Sequence, residues 1–348
     1  MNERRTTNIL LLIIVVPLVF YLLKTLSFIF IPLVAAMFIA LLFLPLMRWL
    51  KRKGIPKVLS ILIVILIIAA LFKITGELIQ LSSREILATN NDFFDKAKFK
   101  LTELLFNIEA FFGIQFLHEE DVLGSLIQRD TIIRNFVPTV GLLSQTVSRT
   151  LTMLFFVILL LAGSVDMQKL LSNTILKHHF ASVKTFMKIE KDLIKFIKVK
   201  FFVSFLTGVG IGIACWGFGI SFPIFWGLFA FAINFLQMVG SIITVLLLAV
   251  FAFVEVESLS IIFLFTLTTT GVQAVFGGIL EPILMGKSFS INIVTILVML
   301  MLWGYIWGIP GLIMSIPITV LLKILAEQFD STRVVADLLT GEDSSVSK

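Results

Sequence analysis

Read for intervals free of Asp, Glu, Lys, Arg and His, the chain divides into long apolar runs separated by short charged segments. A hydrocarbon core about 30 Å thick takes roughly 20 apolar residues in helical form. Ile9 to Met47 carries one charge, Lys24, and is expected to split there into a tight hairpin of two short helices. Val58 to Phe72 makes a third span that extends past Lys73 to Gly76, because a lysine near a helix end reaches the interface. Thr150 to Val165 makes a shorter fourth, bracketed by Arg149 and Asp166. Phe201 to Val254 is too long for one helix and breaks at Gly217, Gly219 and Pro223, giving spans five and six. Ser258 to Leu280 and Ser288 to Leu322 complete eight. Ile9 onward runs into a second apolar helix without a small-residue cleavage site, so no cleavable signal is expected.

Composition agrees with this pattern. Hydrophobic residues make up 58% of the 348 and charged ones 14%, and mean hydropathy is +1.06. Soluble domains carry about a quarter charged residues. The fold class expected is therefore all-α and polytopic. Five ranges follow: an N-terminal three-span region, 1–80; an extracytoplasmic helical module, 81–149; the fourth span with a cytoplasmic lysine-rich helix, 150–200; a four-span core, 201–325; and a cytoplasmic tail, 326–348.

Sidedness follows from Lys and Arg in short loops. The loop after span two holds Arg48, Lys51, Arg52, Lys53 and Lys57 with no acid, so it is assigned to the cytoplasm, and with it both termini. The stretch from Ile74 to Arg149 lies opposite, with ten acids against seven Lys or Arg. Within it, Phe99, Leu101, Leu104, Leu105, Ile108, Phe111 and Phe112 recur near helical spacing, and a second helix is expected over Asp121 to Phe136. On the cytoplasmic side Lys184, Lys188, Lys191, Lys195 and Lys198 share one helical face, with Phe186, Ile189, Leu193, Phe196 and Ile197 opposite. That pattern fits a helix in the headgroup layer attracted by anionic lipid.

The net charge of +6 is spread between apolar runs, so nucleic acid is not an expected partner. A single cysteine, Cys215, excludes an internal disulfide and any multi-cysteine metal site. Gly286-Lys287-Ser288 ends like a phosphate-binding loop, but the required glycine five residues earlier is Glu281. His118, His178 and His179 lie outside the spans, and the uncharged runs hold no pair of acids for an intramembrane protease. No enzyme, metal or cofactor is expected.

What remains is polar and helix-breaking residues in the last four spans. Asn234, Gln237, Gly240, Ser241 and Thr244 interrupt span six; Gln273, Gly277 and Gly278 lead into Glu281-Pro282; Gly304, Gly308, Pro310, Gly311 and Pro317 interrupt span eight. Backbone at membrane depth departs from helix only where protein covers it or a watery cavity adjoins it. Glu281 is the only carboxylate between Glu257 and Glu327. An acid at membrane depth costs about 2.5–3.5 kcal/mol and marks a functional hypothesis. Buried, it can carry a proton; in the headgroup layer it can pair with Lys287. Ile243-Thr-Val-Leu-Leu247 recurs as Ile318-Thr-Val-Leu-Leu322, a weak internal echo.

This layout resembles the autoinducer-2 exporter family of bacterial membrane proteins, also described as PerM-like permeases. Leu280-Glu281-Pro282 through Gly286-Lys287-Ser288 resembles the family's Glu-Pro…Gly-Lys segment. Trp303-Gly304…Gly308-Ile-Pro-Gly311…Pro317 resembles its glycine and proline pattern before the last helix, and Asn234 to Ser241 its Ile-Pro-Tyr-Val-Gly-Pro stretch. Gln237, Ser241 and Ile293 stand where prolines are usual.

The resemblance implies secondary transport of a small solute, autoinducer-2 export being the best-known activity, with cation/proton antiport and homo-oligomers proposed for relatives. The expected protein is a bacterial inner-membrane exporter working by alternating access. Asn234, Gln237, Gln273 and Glu281 line its path, and Gly240, Pro282, Gly286, Gly304, Gly308, Pro310, Gly311 and Pro317 are its helix breaks. The rival readings are a proton-coupled sodium or other cation antiporter and a non-transporting membrane scaffold.

Overall fold

The computed structural model describes residues 3–87, 95–96, 98–100, 102–103, 106, 110, 150–163, 180–286, 291–327, 332 and 339, with the side chains of residues 3–10, 12, 87, 180–186, 237 and 238, Lys184, Phe186 and Gln237 among them, outside the description. The expected helix over Asp121 to Phe136, the histidines and the Lys287-Ser288 pair lie outside it too. Among the described residues every regular element is helical. They are α1 (Glu3–Thr25), α2 (Ser27–Arg52), α3 (Lys57–Leu87), α4 (Thr150–Gly163), α5 (Phe180–Gly217), α6 (Pro223–Ile233), α7 (Gln237–Glu255), α8 (Leu259–Gln273), α9 (Glu281–Met285), α10 (Ile293–Trp307) and α11 (Ile309–Ala326). A 3₁₀ turn, Asn234–Leu236, joins α6 to α7, and a π-helical turn, Ala274–Leu280, joins α8 to α9. Five of the described helical runs are long and apolar enough to cross a membrane.

The chain packs as two compact units, each drawn from several stretches: 1–67, 149–201 and 283–348 in one, 68–148 and 202–282 in the other. In the first unit only Leu26 separates α1 from α2, two residues past the lysine where the split was expected. Phe20 and Leu23 of α1 and Phe30, Val34 and Phe38 of α2 pack on one cluster built around Trp303, Ile306, Trp307 and Ile318. Trp307 Nε1 donates to the Leu23 carbonyl at 2.9 Å, and Lys24 Nζ lies 3.7 Å from the Tyr305 ring centroid.

Helix α2 ends where the charge pattern requires. Gly54 takes φ +81, Ile55 N donates to Leu50 O and Gly54 N to Lys51 O, and Pro56 prevents continuation. This is a Schellman cap, which needs the left-handed conformation glycine adopts freely. The same pair of bonds closes α5, from Ile220 N to Cys215 O and Gly219 N to Trp216 O, and Pro223 then opens α6.

Two of the eight apolar stretches are not simple spans. Helix α6 has 11 residues, about 16 Å at 1.5 Å per residue, roughly half the hydrocarbon core. Helix α7 folds back along it: the Trp226 and Phe251 rings are 5.2 Å apart, and at the base Glu255 accepts from Ser221 N at 3.0 Å and from its hydroxyl. Both ends of this hairpin therefore lie together. The expected eighth span likewise divides, at Gly308 (φ 64, ψ −140), into the antiparallel α10 and α11. At the start of α10, Asn292 N donates to Leu339 O at 3.0 Å.

The assigned breaks then take different parts. Gly308 and Gly286 do interrupt helix, at φ +64 and +76, and Pro310 sits in the first turn of α11, where its missing N–H costs nothing. Gly240 lies inside α7, and the break falls at Asn234–Leu236 instead. A Cβ on Gly240 would stand 2.0 Å from the Ile233 carbonyl oxygen, and one on Gly311 would stand 1.9 Å from that of Trp303. A Cβ on Gly304 would meet Leu312 at 2.8 Å. These three glycines let the arms of a hairpin approach and do not interrupt helix. Pro317 is inside α11 without ending it. The repeated Ile-Thr-Val-Leu-Leu falls on the second arm of each hairpin, where Thr244 and Thr319 are fully buried and bond the carbonyl four residues back.

Candidate functional site

Within the second unit the α6–α7 corner, the end of α8 and the π turn line a partly open cavity of about 660 Å³. Its lining is mostly apolar, from Ile242, Val245 and Leu246 on α7 and Ala274 beyond α8, with polar groups at Asn234, Ser241, Thr270, Gln273 and Glu281. An apolar pocket with a few convergent polar groups is the usual form of a small-molecule site.

Each polar group owes its place to a local irregularity. Asn234 is where α6 gives way to the 3₁₀ turn; it is 2% exposed and its Nδ2 donates to Ser204 Oγ at 3.0 Å. Ser241 sits one turn into α7, and its hydroxyl donates to Gln273 Oε1 at 3.0 Å. A Cβ on Gly277 would lie 3.8 Å from that hydroxyl, so the π turn passes close beside it. Thr270 bonds the Thr266 carbonyl and keeps its oxygen lone pairs for the cavity.

Gln273 is 6% exposed, and its Nε2 has no hydrogen-bond partner. Turning the amide over would leave the oxygen unpaired instead, because a serine hydroxyl both donates and accepts. A buried polar atom without a partner costs about 1–3 kcal/mol, which a ligand bearing an acceptor recovers.

Glu281 follows the π turn directly and is 5% exposed at the cavity wall. Pro282 explains the turn: in an α-helix its ring would press on the Gly278 carbonyl, and the wider π turn over Gly277 and Gly278 relieves that contact. The Glu281 side chain is thus covered by protein at the cavity wall.

Of the four residues expected along a path, Asn234, Gln273 and Glu281 meet in this cavity. Gln237 opens α7 between Asn234 and Ser241. Ser241 and Thr270, not counted among the path residues beforehand, join them. The sequence signal for Ser241 was a hydroxyl one helical turn after Gln237; Thr270 carried none in a threonine-rich run. Two lysines were also missed as interior groups: Lys200 is 1% exposed and Lys323 3%, the latter 3.6 Å from Glu327. Among the described residues no three His, Cys, Asp or Glu side chains come together to hold a metal.

Outside the cavity, three contacts relate the ends of helices. Arg48 at the end of α2 pairs with Glu190 on α5. Lys195 Nζ donates to Met285 O at 2.8 Å, capping α9. Lys96 pairs with Glu257 at 3.0 Å, while Lys100 donates to the Phe253 and Val256 carbonyls at 3.0 and 2.9 Å, capping α7.

Comparison with known proteins covers the same ground. Residues 9–330 match the AI-2E family transporter description. The chain is 26% identical over 313 residues to a Haemophilus influenzae protein named "Putative transport protein", covering 89% of each. It is 24% identical over 321 residues to the AI-2 transport protein TqsA of Escherichia coli, covering 90% of this chain and 89% of that one. A Borreliella burgdorferi protein, also named "Putative transport protein", is 31% identical over 156 residues, which is 44% of this chain and 43% of its own.

Proposed function

We propose, from the premise that this chain belongs to the AI-2E transporter family, that its cavity carries autoinducer-2 or a similar small polar molecule out of the cell. That it is a multi-pass membrane protein and a transporter of small solutes follows from the family and the apolar helices. The observation that carries the finer reading is the Gln273 amide, buried at the cavity with one end unpaired.

The route is alternating access. Broken helices are how many secondary transporters build a site near the bilayer midplane. Two irregular segments flank the cavity: the 3₁₀ corner at Asn234–Leu236, and the π turn at Ala274–Leu280, which widens the continuous helical run Leu259–Met285. The Ser241–Gln273 bond ties one segment to the other and is the contact to be broken when the cavity opens. The basic loop after α2 and the lysine face of α5 are assigned to the cytoplasm by the rule for positive loops, with both termini.

A second reading is favoured by one observation. Glu281 is a carboxylate held at the wall of the cavity, the position from which a coupling proton would act on the solute. Proton-coupled movement of a cation is the alternative that follows. The test is efflux and uptake by purified protein in liposomes, with and without a pH gradient, with autoinducer-2 and then sodium as solute. Movement of autoinducer-2 supports export; sodium-linked proton movement alone replaces it with the antiporter.

A further inference from the structure

The cavity leaves the lysine face of α5 unexplained. Lys188, Lys191, Lys195 and Lys198 are all exposed, while Leu193 and Phe196 on the other face are 5% and 3% exposed. The apolar stripe is therefore spent on the protein, and the charged one is left to the surroundings. The stripe is also not a separate surface helix. Helix α5 runs for 38 residues, about 57 Å, nearly twice the hydrocarbon thickness. Its uncharged part begins at Phe201, so the lysines ascend from the edge of the apolar run through about 15 Å, the depth of the headgroup region and the water beside it.

A second cluster lies beside it. The end of α2 exposes Lys51, Arg52 and Lys53. Trp49 is 54% exposed there, with Lys53 Nζ 5.8 Å from its ring centroid. The Arg48–Glu190 pair joins α2 to α5 across 142 residues of sequence, and Asp192, half-buried one turn after Lys188, is the acid at the edge of the stripe. An exposed tryptophan among cations at the end of an apolar helix is the signature of the membrane interface.

We propose that this composite face, Lys188, Lys191 and Lys198 of α5 with Lys51, Arg52 and Lys53 of α2, binds the headgroups of anionic phospholipid and selects them over zwitterionic ones. Charge complementarity and direct continuity with membrane-crossing helices favour lipid as the occupant. Attraction of this kind extends about a Debye length, so it weakens as salt rises.

The experiment uses the full chain in proteoliposomes with spin-labelled phosphatidylglycerol or phosphatidylcholine, reading the fraction of each label immobilised on the protein. The expected result is a preference of at least about threefold for phosphatidylglycerol at low salt, weakening progressively as salt is raised toward about 1 M. The preference falls to near one in a variant carrying Lys188→Gln, Lys191→Gln, Lys198→Gln and Arg52→Gln, and stays in Lys188→Arg, Lys191→Arg, Lys198→Arg. Lys195 is spared because it caps α9. Equal immobilisation of the two labels on the wild type, or a preference unchanged by the glutamine substitutions, overturns the proposal. Should the glutamine variant fail to fold, the wild-type salt series decides: a preference indifferent to salt overturns it.

Discussion

Ser241 Oγ donates to Gln273 Oε1 at 3.0 Å, joining the first turn of α7 to the last turn of α8 at the cavity. The bond holds the amide so that its other end, Nε2, is buried and unpaired. On the proposed reading Ser241 is a positioning residue for the amide that would meet the solute.

Replacing it tests that relation. Ser241→Ala removes about 1 kcal/mol of orientation and is expected to raise the half-saturating solute concentration about fivefold while leaving the maximal rate near wild type. Ser241→Thr retains the hydroxyl and the wild-type value. A fall in maximal rate with unchanged half-saturation would assign Ser241 to the conformational step instead.

The hairpin glycines make a prediction about stability. Gly240→Ala and Gly311→Ala each place a Cβ about 2 Å from a carbonyl oxygen fixed in the backbone, so neither neighbour can step aside as a flexible side chain would. Each is expected to cost about 1–3 kcal/mol, read as a lower thermal midpoint in detergent. Gly76→Ala, inside α3 with nothing within 4 Å of the added carbon, is expected to keep or slightly raise the midpoint.

The burial of Glu281 bears on coupling. Glu281→Gln keeps the shape and removes the ionisable group, so transport should lose its dependence on pH if the carboxylate carries the proton. Transport by the variant that still follows pH as the wild type does would take Glu281 out of the coupling step.

A third contact titrates outside the spans. The Lys96 ammonium, first by its hydrogen bond and then by its charge, with Lys100 adding to it, holds the Glu257 carboxyl below its usual value. An acid depressed in the folded state keeps its tie in full above the unfolded value and loses it as pH falls through the folded one. The protection factors of amides 253–258, which correct for slower intrinsic exchange in acid, are therefore expected to fall on acidification below the usual carboxylate range, and to be lower at neutral pH in a Lys96→Gln variant. Equal protection in the two proteins at neutral pH would contradict this.

These particulars show what the sequence made legible. Charge-free intervals located the apolar stretches because burying a charge in hydrocarbon is costly, and polar residues within them found Asn234, Gln273 and Glu281 because polar atoms at depth need a reason. Gly308 reads from sequence as a break, but not as the reversal that turns one apparent span into α10 and α11, since a one-residue turn adds no polar group to the pattern. Gly240 and Gly311 could not be told from true breaks, because a glycine needed for close approach and one needed for positive φ are the same letter. Lys200 and Lys323 carry no sequence signal of burial, because each borders an apolar run as an interfacial lysine does, and only packing shows them covered.

Flux of autoinducer-2 through liposomes, compared between the wild type and Gln273→Leu, tests the central claim most directly. The leucine fills a similar volume and removes the unpaired amide, so transport is expected to fall about tenfold, the equivalent of roughly 1.4 kcal/mol of lost hydrogen bonding, with the thermal midpoint kept or raised. Equal flux through the two proteins would contradict the claim that this cavity carries the solute.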